Sequence, residues 1–382
     1  MNALVATARA LTPDIMAARP EMDRLRRLPD SLAAQFRDAR LYRLCIPRAH
    51  DGLEAAPSVT VETLEALAEA DASAAWCVMI SATTGAFGAY LDPETAAEIF
   101  LDPSLVFAGV YAPLGKATVE GDAYRVTGQW KWNSGGQNAT WLCGGCVIHE
   151  NGAPRMLTEK IPDHRMMLFP ASEVTFIDTW HTSGLRGSGS GDMAVRDLLV
   201  PKSRSVSLIT DKPRIPSPLY AFPIFGLLAI GIAAVASGNA RAALKEFAAH
   251  ASARRTPTGR ALTDRGTIQA AYAESSARLS AARAFLFAEI DGAWRQAQTN
   301  PAISLEQRAT LRLAATHMTR TAAEVVRTIQ DLAGGASVFT ADPLNRRVAD
   351  AQTMTAHIMT APATYELTGR ALLGVPVSSA EL

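Results

Sequence analysis

The 382 residues include 37 basic and 37 acidic side chains, so the net charge is zero, and 48% of the chain is apolar. That balance argues against nucleic acid or an anionic membrane as partner, since both favour concentrated positive charge, while the apolar content can fill two or three domain cores. Charged residues are only 19%, which predicts apolar surface covered in a homo-oligomer.

The opening MNALVATARALTPDI lacks a basic start followed by an apolar core and cleavage site, which predicts no signal peptide and a cytoplasmic protein. The longest apolar run, Ile224 to Ala236, is too short to span a bilayer and is expected as a buried bundle helix. Four cysteines do not make a disulfide framework. Cys143 and Cys146 form a CxxC in an apolar, strand-like context without a second ligand pair, so neither a redox nor a metal site is expected.

From Asn2 to Phe100 the pattern is helical, with Leu25, Leu28, Leu32 and Phe36, then Leu64, Leu67 and Ala68, recurring at helical spacing. Pro29-Asp30 and Asp92-Pro93 are expected to start new helices, and Arg24, Arg26 and Arg27 to lie on solvated helix faces. Around Val106 the pattern changes. Short strand-like runs (Val106-Phe107, Ala123 to Val126, Gln129 to Trp132, Val174 to Ile177) alternate with the turn-formers Gly121-Asp122, Ser134-Gly135-Gly136, Asn151-Gly152 and Pro162-Asp163. They predict a compact antiparallel β domain. After a proline-rich link from Lys212 to Pro223, four long helical segments follow, roughly 224–253, 264–297, 303–333 and 343–373, with Gly259, Asn300-Pro301 and Gly334-Gly335 at the connections. The expected organisation is α+β: an N-terminal helical domain (1–102), a middle antiparallel β domain (103–211) and a C-terminal four-helix bundle (212–382).

Two stretches carry chemistry. Residues 184–190, GLRGSGS, set five small residues around Leu185 and Arg186. Backbone N–H groups, serine hydroxyls and a guanidinium there suit an anionic or electron-rich planar cofactor, although a flexible Gly/Ser hairpin reads equally well. In GQWKWNSGGQNATW, Trp130 and Trp132 are spaced to share one strand face, and Asn133 and Ser134 supply donors at its end. That could bed an isoalloxazine ring, or both indoles could be core.

Together, WNS at 132–134 and DTWHTSGLRGSGSGD at 178–192 resemble the acyl-CoA dehydrogenase superfamily, and most closely its two-component, reduced-flavin-dependent monooxygenase branch. The resemblance runs in order along nearly the whole chain. It implies that Trp132 borders the flavin, that Ser134 hydrogen-bonds near its N5 edge, and that Trp180, Arg186, Ser188 and Ser190 lie beside it. The segment from Asp331 to Gly374 resembles the end of the bundle. Where dehydrogenases carry their catalytic glutamate, this chain has His357 or Ile358, and Glu366 matches only superficially. By the resemblance His357 is the catalytic residue near the substrate, since a histidine can accept a phenol proton. Gln330 stands one residue too far from Gly334-Gly335 to match the dehydrogenase turn that holds the adenine half of FAD, so FMN or loosely bound FAD is implied. Tyr111-Ala112-Pro113 replaces the dehydrogenases' glutamate-bearing strand.

The implied activity is hydroxylation of a small aromatic substrate by reduced flavin and O2 through a C4a-hydroperoxide. The partners are a separate flavin reductase and three further copies in a homotetramer. An acyl-CoA dehydrogenase with an unusual base and a non-catalytic flavin-binding protein are the alternatives.

Overall fold

A computed structural model describes residues 2–253, 259, 261–300, 302–378 and 382; Pro301, read above as part of a connection, lies outside them. Helices α1 (Ala3–Ala10), α2 (Thr12–Leu25), α3 (Asp30–Asp38), α4 (Pro57–Ala70), α5 (Ala72–Thr84) and α6 (Pro93–Phe100) come first. Both proline breaks start helices as expected. Asp30 opens α3, and the Asp92 side chain caps α6 by accepting from the Thr95 N–H. Leu28, Leu32, Phe36, Leu64, Leu67 and Ala68 are all buried.

Strands β1 (Phe107–Glu120), β2 (Ala123–Trp130), β3 (Trp141–Glu150), β4 (Ala153–Pro154), β5 (His164–Pro170), β6 (Thr175–Ile177), β7 (Asp192–Pro201) and β8 (Ser205–Val206) form one sheet in the order β6-β7-β2-β1-β3-β5-β8, with β4 on β3. The sheet is mixed, not antiparallel throughout: β1 and β3 pair in parallel, Phe107 opposite Trp141 and Thr118 opposite His149. The reason is connectivity. The Gly121-Asp122 turn folds β2 antiparallel onto one edge of β1, so the chain crosses through residues 131–140 to reach the other edge in the same direction as β1. That crossover carries half of the candidate site. Cys143 and Cys146 lie on β3 in different apolar clusters, and burial pushes both thiols well above their ordinary range.

After α7 (Pro218–Ala221) come α8 (Ile224–Ala253), α9 (Gly266–Thr299), α10 (Leu305–Ala333), α11 (Pro343–Thr355) and α12 (Ala363–Leu372). The fourth predicted helix, 343–373, is therefore two helices. Proline at 362 disfavours helical geometry at Ala361, which is extended (φ −68°, ψ 162°), and the chain leaves the helix after Thr355. His357 falls in the break and not on a helix.

By length and apolar composition Ala72–Ala89 and Ile224–Ser252 are each sufficient to cross a membrane; the helix over 224–253 forms as expected, and its apolar stretch extends beyond Ala236. In both, 94% of the window is buried inside the protein, as expected of core helices. Helix α8 packs against α4 so closely that a Cβ at Gly238 would come within 2.3 Å of the Glu65 carbonyl oxygen. The N-terminal helices and the bundle consequently share one continuous apolar core.

Candidate functional site

The crossover after β2 begins with a reversal. Trp130 is fully buried in the sheet's core and donates its indole N–H to the Gly145 carbonyl at 2.7 Å. Two residues on, Trp132 has a φ of +64° and is 64% exposed. The two indoles thus do not share a strand face: the strand ends at Trp130, and the left-handed turn throws Trp132 outward. The Asn133 N–H then donates to the Gly191 carbonyl, and the Gly135 N–H to the Ser188 carbonyl, joining this turn to the 184–190 loop.

Inside that junction three serine hydroxyls form a chain. The indole N–H of Trp76, on α5, donates to Ser134 Oγ at 3.1 Å. Ser134 Oγ lies 2.6 Å from Ser190 Oγ, which lies 2.7 Å from Ser188 Oγ. Ser188 donates to the Leu185 carbonyl at 2.7 Å, and the indole N–H of Trp180 reaches the same carbonyl at 2.9 Å. All three serines are buried. The loop touches the bundle: a Cβ at Gly184 would sit 2.0 Å from the Ala349 carbonyl oxygen of α11.

Of the residues singled out by sequence, Ser134, Ser188, Ser190 and Trp180 are brought into one hydrogen-bonded set, with Trp132 on the adjoining turn. Arg186 is not part of it; its guanidinium extends toward α2, 3.8 Å from the Asp23 carboxylate. Arg26, expected on a solvated face, instead makes a two-bond pair with Asp178, at 2.8 and 2.6 Å, that ties α2 to the segment after β6.

His357 reaches this set through Trp76, their rings 5.7 Å apart and edge-on. Its Nδ1 accepts from the Met359 N–H at 3.2 Å. Burial and the nearby Arg312 cation hold its pKa down at about 4, so the imidazole is neutral near pH 7. A neutral ring whose Nδ1 accepts carries its proton on Nε2, which makes that nitrogen a donor. Arg312 is itself buried and donates to the Met359 carbonyl at 3.3 Å; burial lowers its pKa to about 10, which leaves it cationic. Glu366 is exposed on α12 and Gln330 donates its amide to the Ser337 carbonyl.

Trp76 and Asp350 were not singled out by sequence as members of the site. Trp76 had a weak signal, a lone aromatic in the alanine-rich run DASAAWCVM. Asp350 had none, because a buried carboxylate looks like any other in a mixed helix.

These residues fit a flavin. Asn133 Oδ1 is buried without a hydrogen-bond partner among the described residues, an acceptor available to a ring N–H. Beside it are the hydroxyl chain and an exposed aromatic face at Trp132.

The chain is similar in sequence and in fold to known flavin-dependent monooxygenases. Residues 230–362 match the family model for the acyl-CoA dehydrogenase C-terminal domain. The chain is 33% identical over 356 residues to the indole-3-acetate monooxygenase of Pseudomonas putida, spanning 93% of this chain and 89% of that one. It is 26% identical over 375 residues to the oxygenase component of the FADH(2)-dependent resorcinol hydroxylase of Rhizobium sp., spanning 93% and 90%. The crystal structure of the HsaA monooxygenase from M. tuberculosis superposes with a TM-score of 0.89 at 25% identity, over 99% of both chains.

Proposed function

The chain belongs to the oxygenase components of flavin-dependent monooxygenases in the acyl-CoA dehydrogenase superfamily, and from that premise we propose that it hydroxylates a small aromatic substrate held between the serine chain and His357. The observation that carries this reading is the continuous link Ser188–Ser190–Ser134–Trp76, with His357 packed edge-on against Trp76. Reduced flavin, when bound, supplies the electrons with which O2 is activated.

The residues divide the remaining work. Ser134 and Ser190 are pre-aligned hydroxyls for a flavin edge, Asn133 Oδ1 is an acceptor, and Trp132 covers a ring face. Trp180 and Ser188 hold the loop that presents them. His357 donates from Nε2 to a substrate oxygen or ring substituent and positions the substrate; a nitrogen that already carries its proton does not serve as the base. Aromatic substrates are supported by the names of two relatives, indole-3-acetate monooxygenase and resorcinol hydroxylase.

The cofactor is FADH2 or reduced FMN, delivered by a separate reductase. The engagement of the Gln330 amide with Ser337 supports loose holding. The chain is cytoplasmic and assembles as a homotetramer through its C-terminal bundle, whose last helix and connections expose Val338, Phe339, Ile358, Leu372 and Leu373.

The test supplies reduced flavin, 18O2 and a panel of phenols and indoles. We expect one labelled oxygen atom in the product and tighter binding of reduced than of oxidised flavin. Reduction of bound flavin by acyl-CoA thioesters, with release of enoyl-CoA, would overturn the reading in favour of a dehydrogenase.

A further inference from the structure

Leu185 is the pivot of the 184–190 loop, and it is held from outside the sheet. Its φ of +49° is a left-handed conformation that a branched side chain adopts only under constraint. Its carbonyl accepts from both Trp180 and Ser188, and its side chain is buried in the core shared by the N-terminal helices and the bundle. Its N–H donates to Asp350 Oδ1 on α11 at 2.6 Å, a contact spanning 165 residues of sequence. Asp350 is 3% exposed, and its Oδ2 has no hydrogen-bond partner among the described residues.

The charges facing Asp350 are Arg346 and Arg347 on its own helix and Asp71 at the start of α5. Arg346 pairs with Asp71 at 3.0 Å and with Asp23 at 2.8 Å, and Arg347 with Glu246 at 2.8 Å. Both arginines therefore have other carboxylates, and among the described residues the one hydrogen bond to the Asp350 carboxyl comes from the 184–190 loop.

We infer that Asp350 is a positioning residue of the oxygenase site: by accepting from the Leu185 N–H it locks the left-handed turn from which Ser188 and Ser190 are aimed. This rests on the flavin reading of those hydroxyls. The acceptor oxygen, and not the charge, does the work. Burial, with the Asp71 carboxylate behind it, pushes the Asp350 carboxyl up to about 7, and in the protonated form the proton can sit on Oδ2 while Oδ1 still accepts.

The experiment compares wild type, D350N and D350A by hydrogen–deuterium exchange of the peptide spanning 184–190, by exchange of α8 as a reference, and by reduced-flavin affinity. D350N keeps an acceptor oxygen, so its loop exchange and affinity should stay within about 3-fold of wild type. D350A should exchange ~10-fold faster in the loop and bind reduced flavin ~10-fold more weakly, the scale of one hydrogen bond, with α8 unchanged. Equal losses in D350N and D350A would overturn the proposal in favour of charge. Unchanged loop exchange in D350A, faster exchange throughout including α8, or failure of D350A to fold would overturn it in favour of no role or of a general core role. Wild-type protein that binds no reduced flavin would refute the flavin reading instead, and loop exchange would still decide the Asp350–Leu185 link.

Discussion

The 184–190 loop and the 356–362 break are linked through Trp76, the loop by way of Ser134 and the break by His357, but they are held differently. In the loop, Ser188 and Ser190 are buried, bonded to one another, and tied to Ser134, Leu185 and, through Leu185, to Trp180 and Asp350. In the break, Ile358 is 80% exposed and the local hydrogen bonds are short-range: the His357 side chain with Met359, and the Thr360 N–H with the His357 carbonyl. From neighbouring helices, Arg312 and Thr364 donate to the Met359 carbonyl and the Trp76 ring packs against His357. On the proposed reading, a flavin would meet a rigid, over-determined surface, where preorganised groups lose nothing to reorganisation when the ligand arrives. On the same reading the substrate would meet a short break between two helices, which can change its side chains without disturbing that surface.

This contrast makes the largest predicted effect a loss on the break side that leaves the loop side intact. His357→Ala should lower oxygen transfer by ~10–100-fold, the worth of a lost hydrogen bond in a buried site, with reduced-flavin affinity unchanged. Asn at 357 can accept from the Met359 N–H and still donate, so His357→Asn should remain within ~10-fold of wild type. Product formed per O2 consumed decides it. A loss of ~10²–10⁴-fold in the Asn variant would make His357 a base and reverse the assignment of its Nε2 as donor.

On the loop side the effect should be smaller and of the other kind. Ser190→Ala removes the middle hydroxyl and leaves Ser134 and Ser188 each without one partner, which costs about 1–3 kcal/mol when the group stays buried. Reduced-flavin affinity should fall ~10-fold, while product per bound flavin holds near wild type. If coupling collapses and affinity does not, the two sides are not separable as described.

The smallest effect concerns pH. The folded-state pKa of His357, about 4, lies below its ordinary 6.5, so the unfolded chain takes up this proton first. The associated stability is fully present above pH 6.5 and is lost as pH falls through 6.5 towards 4. The melting temperature of His357→Asn should therefore decline less than that of wild type over this interval. Parallel curves would mean that the imidazole is not held neutral by its surroundings.

Much of the architecture was legible in the sequence because it depends on local physics. Proline and aspartate at 29–30 and 92–93 start helices, glycine and asparagine at 121 and 151–152 turn strands, and apolar periodicity marks α4, α8 and α10. The serines of the loop were likewise named from their spacing and from the resemblance of their motif. Three features were decided only by the tertiary structure. The parallel pairing of β1 with β3 depends on which sheet edge remains open after the β1–β2 hairpin forms. The separation of Trp130 from Trp132 depends on Asn133 bonding to Gly191, a partner 58 residues away just before β7, since alternation along a strand holds only while the strand continues. The pairing of Asp350 with Leu185 joins a bundle helix to a sheet loop, and a carboxylate's partner at that distance leaves no trace in its own neighbourhood of sequence.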